Sequence, residues 1–364
     1  MKYIGRLLGW LLLGLNILIV MGMLFCAYSP YLDPVRHPVL ACSGLAFPIF
    51  LILTVLFLLF WLVVYYKYAL ASVLGMVCCL STIYTFCPLN FFREEAPEGS
   101  IKILSYNVMG FEADHPDTPD NPNMILKYLK ESNADIICMQ EYSAGGRLKQ
   151  SDIDRALSEY TYKNHQKAGK NGGQIACYSR FPILSANPVK YTSEFNGSIL
   201  YQIKIENDTI LLINNHLESN KLTIDDREKY VRMIKSPEAS NVKASMRTLL
   251  KKLSEAIPIR AQQADSIAQI IRQQEGKSFI VCGDFNTSPI SYTHRIISEN
   301  LTDAFTESGR GPGISYHKNG FYFRIDNILV SPNFKTYQCT VDNSLKNSDH
   351  YPIWCYVTKK KLFP

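Results

Sequence analysis

Hydrophobic and polar positions follow two different rules on either side of about residue 92. Before it, charge-free apolar runs occupy Leu7–Tyr28, Pro38–Tyr66 and Tyr68–Phe92. Each is long enough to cross a bilayer core, which takes ~20 apolar residues in a helix. A helix buried in a soluble protein keeps a polar stripe every three or four positions, and LLLGLNILIV and FLILTVLFLLFWLVV keep none. The pattern predicts three transmembrane helices, at about residues 7–28, 38–66 and 68–92.

The first run is longer than the ~7–15 residues of a signal-peptide core. Val39-Leu40-Ala41-Cys42 has the form of a lipoprotein box but opens a long span instead of ending a signal. Lys2 and Arg6 precede the first span, Arg36 and His37 separate the first two, and Lys67 follows the second. Counted by the positive-inside rule, this bias places the N-terminus in the cytoplasm and, after three crossings, the rest of the chain outside it. The expectation is an integral, multi-pass protein whose bilayer partner is lipid; no protein partner is predicted.

After the spans the code changes. FFREEAPEGS mixes charge, Pro and Gly, and residues 93–100 read as a linker. The segments IKILSYNV, ADIICMQE, QIACYS, ILYQIKI, TILLINNHL, SFIVCGDF, FRIDNILVS and YPIWCYV are short, apolar and bounded by turn residues, as strands are. MILKYLKES and RAQQADSIAQIIRQ have helical spacing, with Asn121 to Asn123 available to cap the first. Strands and helices alternate, then strands cluster, which suggests an α+β domain over 101–364 with two packed sheets and helices outside.

A stretch at about 218–258 departs from this economy. It carries nine basic residues, among them Lys221, Arg227, Lys229, Arg232 and Lys252, at a spacing that predicts two helices. A solvated helical face is the ordinary meaning of such charge, and a lid receiving an anionic substrate is the sharper one. The net charge of +6 suits anionic lipid and nucleic acid alike and does not choose between them. Five of the ten cysteines lie in the spans, and the other five sit in apolar runs without a CxxC pair, so they read as small core side chains.

Polar groups recur where buried strands end: Asn107 after ILSY, Glu141 after IICMQ, His216 after LLINN, and Asp284 with Asn286 in Gly-Asp-Phe-Asn. Asp326 lies inside FRIDNILVS, and Asp349 and His350 precede Tyr-Pro-Ile. A carboxylate at the mouth of a buried strand must be solvated, paired or bound to metal.

In this order and spacing the residues resemble the endonuclease/exonuclease/phosphatase superfamily, which includes deoxyribonucleases, AP endonucleases and neutral sphingomyelinases. The resemblance covers about Ile101 to Tyr356. It implies a four-layered α/β/β/α sandwich, with Asn107, Glu141 and Asp349 around Mg²⁺ or Mn²⁺. It further implies His216 on the scissile phosphate, Asp284 and Asn286 on the attacking water, and Asp326 holding the imidazole of His350 as base or as charged clamp. Glu112 and Asp114 are the nearest candidates for a second acidic residue after the first Asn. The expected function is metal-dependent hydrolysis of a phosphodiester, in nucleic acid or in a lipid headgroup. The alternative is a membrane scaffold that keeps the fold without the chemistry.

Overall fold

Most strands after residue 100 are apolar on both faces, and the fold explains why. In β1 (Ile101–Asn107) Ile103 faces one core and Leu104 another; in β2 (Ile136–Tyr142) Ile136 and Cys138 alternate with Ile137 and Met139 in the same way. Each sheet is therefore covered on both sides. The computed structural model describes residues 2–360 apart from 113, 115, 116, 119, 170, 192, 236–238 and 319, so part of the basic insertion and the last four residues of the expected domain lie outside the described residues.

The remaining strands are β3 (Tyr162–Lys167), β4 (Gln174–Ser179), β5 (Ile183–Pro188), β6 (Gly197–Ile205), β7 (Asp208–His216), β8 (Phe279–Asp284), β9 (Thr302–Asp303), β10 (Asp326–Val330), β11 (Phe334–Val341) and β12 (Ile353–Lys359). They form two six-stranded sheets, ordered β11-β12-β1-β2-β4-β3 and β5-β6-β7-β8-β10-β9. The helices are α1 (Lys2–Tyr28), α2 (Pro38–Ala41), α3 (Phe47–Val64), α4 (Ala69–Cys78), α5 (Leu80–Phe86), α6 (Met124–Glu131), α7 (Gln150–Ala156), α8 (Ile224–Lys235), α9 (Ala239–Gln273), α10 (Tyr292–Ile297) and α11 (Ala304–Ser308).

Ile103, Cys138, Cys177, Tyr201, Leu212 and Cys282 belong to the core between the sheets. Ile125, Leu126 and Leu129 of α6 cover the first sheet, and Ala264, Ile267 and Ile271 of α9 cover the second. The result is the four-layered sandwich. Asn123 caps α6, its side chain accepting from Leu126 N at 3.1 Å. The five cysteines of the domain are all buried and unbridged, as small core residues.

Two parallel pairs decide where chemistry can sit. β1 runs parallel to β2, and β7 to β8, one pair in each sheet. Their C-terminal ends carry Asn107, Glu141, His216 and Asp284 to one rim. β10 runs antiparallel to β8 with Asp326 opposite Asp284, and β12 antiparallel to β1 with Ile353 opposite Ser105, so their N-terminal ends arrive at the same rim. Asn214 of β7 locks the two sheets together there. Its amide donates to Ala176 O at 3.0 Å and Met139 O at 3.3 Å, and its oxygen accepts from Gln140 Nε2 at 2.6 Å.

In the N-terminal region the segments Tyr3–Tyr31 and Pro38–Val64 are each long and apolar enough to cross a membrane. The third expected span is not one straight helix. It bends by 65° between Tyr66–Cys78 and Leu80–Phe86 and makes a third crossing only if that pair is one span. It also ends at Phe86, not at Phe92, because Pro88 cannot continue a helix and the chain is drawn onto the domain. There Gly311 N donates to Pro88 O at 2.9 Å, and Asn90 Nδ2 to Gly309 O at 2.7 Å. Within the bundle a fully buried Asn16 donates to Ser72 Oγ at 3.0 Å, tying α1 to α4.

The bundle is seated directly on the domain. Ile290 lies in one cluster with Met23, Cys26, Phe47 and Cys79. Arg295 Nε donates to Pro30 O at 2.9 Å, and buried Arg324 donates to Thr85 O. A Cβ on Gly44 would stand 2.2 Å from Ile290 O, so only glycine permits this approach.

Replacing Asn214 by Leu leaves the carbonyls of Met139 and Ala176 and the Gln140 amide buried without that partner, at ~1–3 kcal/mol per group. The unfolding temperature of the full chain in detergent is expected to fall by at least about 5 °C; an unchanged value would show that the sheets hold without the amide.

Candidate active site

Each side chain at the rim is aimed by a local departure from regular strand. The β2–β4 register shifts between Met139 and Tyr142, and Glu141 adopts φ 51° within that irregularity. The extra residue turns its carboxylate out of the pleat into the opening. Asn286 also has φ 51°, and Gly283 has φ 124° with its Cα face pressed on Asn215, where a Cβ would meet Asn215 O at 2.1 Å. Left-handed backbone at non-glycine residues is disfavoured and persists where the surroundings impose it.

The groups converge. Asn107 Nδ2 donates to Glu141 Oε1 at 3.1 Å and to Asp284 Oδ2 at 3.2 Å. His216 Nε2 is 3.7 Å from Glu141 Oε1 and 3.8 Å from Asp284 Oδ2. Asn286 N donates to Asp284 Oδ1 at 2.8 Å, and its side-chain amide donates to Leu217 O at 2.9 Å and to Asp284 Oδ2 at 3.2 Å. His350 Nδ1 lies 2.8 Å from Asp326 Oδ2, with Nε2 3.7 Å from Asp284 Oδ2. Asp349 lines the same cavity as Glu141 and His350. Six of the eight candidates line that cavity, Asn107 and Asp326 are buried behind it and hydrogen-bond to the lining side chains, and ligand atoms of Asp284, Asp326 and His350 lie within 4.8 Å of one another.

Burial sets the electrostatics. The Asp284 carboxyl is pushed up to about 6 by desolvation, with His350 and His216 pulling the other way and Asp326 adding to the rise. Burial alone would lower His350, but Asp326 and Asp284 beside it outweigh that and raise it to about 10. The two carboxylates thus favour its charged form.

Residues that the sequence did not single out complete the opening. Tyr316 packs edge-on against the His350 ring at 5.1 Å and carries the Arg227 guanidinium over its own ring at 5.5 Å. Ser315 Oγ accepts from Asp326 N at 3.0 Å, and Ser348 Oγ donates to Asn107 O at 2.7 Å. Arg260 of α9 is 2% exposed; its Nη1 donates to Glu218 O at 2.7 Å, and its Nε has no partner among the described residues. Burial lowers its pKa to about 10. Nothing in the pattern distinguishes a serine or an arginine of this kind from its neighbours before the fold is known. Glu112 stands apart: with Asp114 it borders a separate depression, and it accepts from Asn347 Nδ2 at 2.9 Å.

The basic insertion is largely self-compensated. Lys221 pairs with Glu218 at 2.9 Å, Lys229 with Asp225 at 2.6 Å, Arg232 with Glu228 at 3.4 Å, and Lys252 with Asp226. Its second helix does not stop at Pro258 but continues as α9 into the expected RAQQADSIAQIIRQ helix. Arg227, Lys221 and Arg260 nevertheless line the cavity.

The fold and the rim together define the class. The chain belongs to the endonuclease/exonuclease/phosphatase family, whose profile matches residues 104–350 and so encloses all eight candidates. Residues 9–86 match a domain of unknown function. No curated protein matches the chain. Among solved structures, an endonuclease/exonuclease/phosphatase from Bacteroides vulgatus is similar at 16% identity over 72% of this chain and 100% of that one, with a TM-score of 0.50. D. rerio TDP2 in complex with a single-strand DNA product is similar at 14% identity over 72% and 100%, also with a TM-score of 0.50. At these identities the likeness is one of fold.

The raised His350 stabilises the folded state fully below its ordinary 6.5, and that contribution is lost as pH rises through about 10. Asp284, raised from 3.8, acts in the same direction over a lower window, up to about 6. Without divalent cation, the unfolding temperature of the full chain is expected to drop between neutral pH and pH 10, and to drop less steeply in His350→Gln. Parallel curves would mean that the imidazole holds no extra proton.

Proposed function

We propose that this protein is a membrane-anchored phosphoesterase that hydrolyses a phosphodiester with an activated water and requires Mg²⁺ or Mn²⁺. The observation that carries the reading is the convergence of Glu141 and Asp284 on one Asn107 amide, with His216 and His350 beside them. Two carboxylates brought together repel one another, and a divalent cation offsets that repulsion. Glu141 and Asp349 would hold it, as oxygen donors suited to a hard ion, and Asn107, which donates to Glu141, would position that carboxylate or, with its amide reversed, add its own oxygen. When bound, the cation supplies charge neutralisation at the phosphoryl oxygens.

The protein's own groups divide the rest of the work. Asp284, close to neutral in its proton affinity and held by the Asn286 backbone, takes a proton from the attacking water, while the Asn286 amide orients it. His350, kept charged by Asp326, is a cationic clamp on the phosphoryl group and not the base. His216 donates to a non-bridging oxygen. A new P–O bond forms to water, the ester P–O bond breaks with its electron pair on the leaving oxygen, and the water proton ends on that oxygen.

The helical segments support the anchor and a direction for it. Trp10 meets Tyr68 at 5.9 Å, so the turn after α3 lies at the N-terminal end of α1, while Pro30, Gly44 and Thr85 touch the domain at the other end. If all three segments cross, the domain is on the face opposite the N-terminus, which the basic flanks place in the cytoplasm. A reporter fused after Pro364 is expected to be extracytoplasmic, and a cytoplasmic signal would leave an even number of crossings.

With Mn²⁺, the purified full chain is expected to cleave a chromogenic phosphodiester and to lose at least about 100-fold of kcat in Asp284→Asn and in His350→Gln. Wild-type rates in both variants would end the reading. Absence of turnover together with absence of Mn²⁺ binding by calorimetry would favour the scaffold alternative.

A further inference from the structure

The cavity that holds the site extends well beyond it. Its volume is about 840 Å³, within the ~300–1,000 Å³ of small-molecule sites. Its lining joins Glu141, Asp284 and His350 to Ala46 and Ile49, early in the second apolar segment, and to Leu249, Leu250 and Leu253 of α9. The membrane segment is thus a wall of the active-site cavity, fixed there by the Gly44–Ile290 contact. Arg260 lines it as well, a buried guanidinium with an unpaired Nε and, among the described residues, no carboxylate within ion-pair distance. With its nearest acids, Glu218 and Asp284, beyond ion-pair distance, this buried cation has room for an anion from elsewhere.

Nucleic acid needs an open basic groove along which a polyanionic backbone can run. A cavity with a hydrocarbon wall contributed by a membrane helix suits a different molecule. Resting on the phosphoesterase reading, we infer that the substrate is a phosphoester lipid of the surrounding bilayer: its phosphoryl group sits at Asp284 and His350, its head near Arg260, and its hydrocarbon chain between residues 38–49 and the leucines of α9. The lipid enters from the membrane, because the second apolar helix begins at Pro38 and its first turns border the opening. Water supplies the new P–O bond and the proton on the leaving alcohol, as above.

The test uses the full chain in phosphatidylcholine nanodiscs with Mn²⁺ and two esters that differ only in tail, para-nitrophenyl methyl phosphate and para-nitrophenyl hexadecyl phosphate. The expected kcat/KM is at least about tenfold higher for the hexadecyl ester, since a buried hydrocarbon tail adds favourable transfer from water that the methyl ester lacks. Leu250→Trp, which fills the cavity, and Leu249→Asn, which wets it, should each reduce that ratio by about fivefold or more. Both leucines are partly exposed, so the core is untouched. Equal kcat/KM for the two esters, or faster cleavage of a single-stranded oligonucleotide, overturns the lipid inference and leaves the phosphoesterase intact. An unchanged ratio in both variants removes the tail from this cavity and overturns it too. No hydrolysis of either ester overturns the phosphoesterase reading and this inference with it.

Discussion

One buried amide between two sheets holds the rest in place. Asn214 spans the gap from β7 to β2 and β4, and through it the parallel pair of one sheet is kept level with the parallel pair of the other. A slip of one residue in a strand would exchange its two faces. Here it would also carry Asn107 and Glu141 away from His216 and Asp284, since only side-chain contacts across the rim join them. The convergence at the rim is therefore a property of sheet register before it is a property of any loop.

The same rim concentrates acids in a dry place, and the protein balances them with imidazole more than with lysine or arginine. Asp326 and Asp284 flank His350, so one buried imidazole faces two buried carboxyls. Glu141 and Asp349 are the exceptions, both partly exposed, with the Glu141 side chain 44% open to solvent. The left-handed backbone at Glu141 and Asn286 belongs to the same design: regular strand would point both side chains elsewhere.

Much of this was legible in the sequence because the central strands are buried on both faces and end in polar residues. The strands that pattern missed, β3, β5, β9 and β11, are the four edges of the two sheets. An edge buries less, so YKNHQK alternates weakly and β9 is two residues long. Pro258 looked like a helix boundary, but α9 packs on the second sheet beyond it and tertiary contact overrides local propensity. The third apolar run could not reveal its bend at Cys79, since composition records length and polarity but not direction. Tyr316 and Arg260 were illegible for another reason: they matter only through what the fold brings beside them.

The junction between bundle and domain has no slack. Arg324, Arg295 and Asn90 bind backbone carbonyls across it, and Gly44 lets the two backbones touch. A domain on a loose tether would sample a hemisphere of solvent; this one keeps its mouth fixed relative to the apolar helices. For the inferred lipid substrate, the encounter rate would then be governed by molecules per unit area of membrane and by lateral diffusion, so diluting the surface with inert lipid would slow it while diluting the surrounding solution would not.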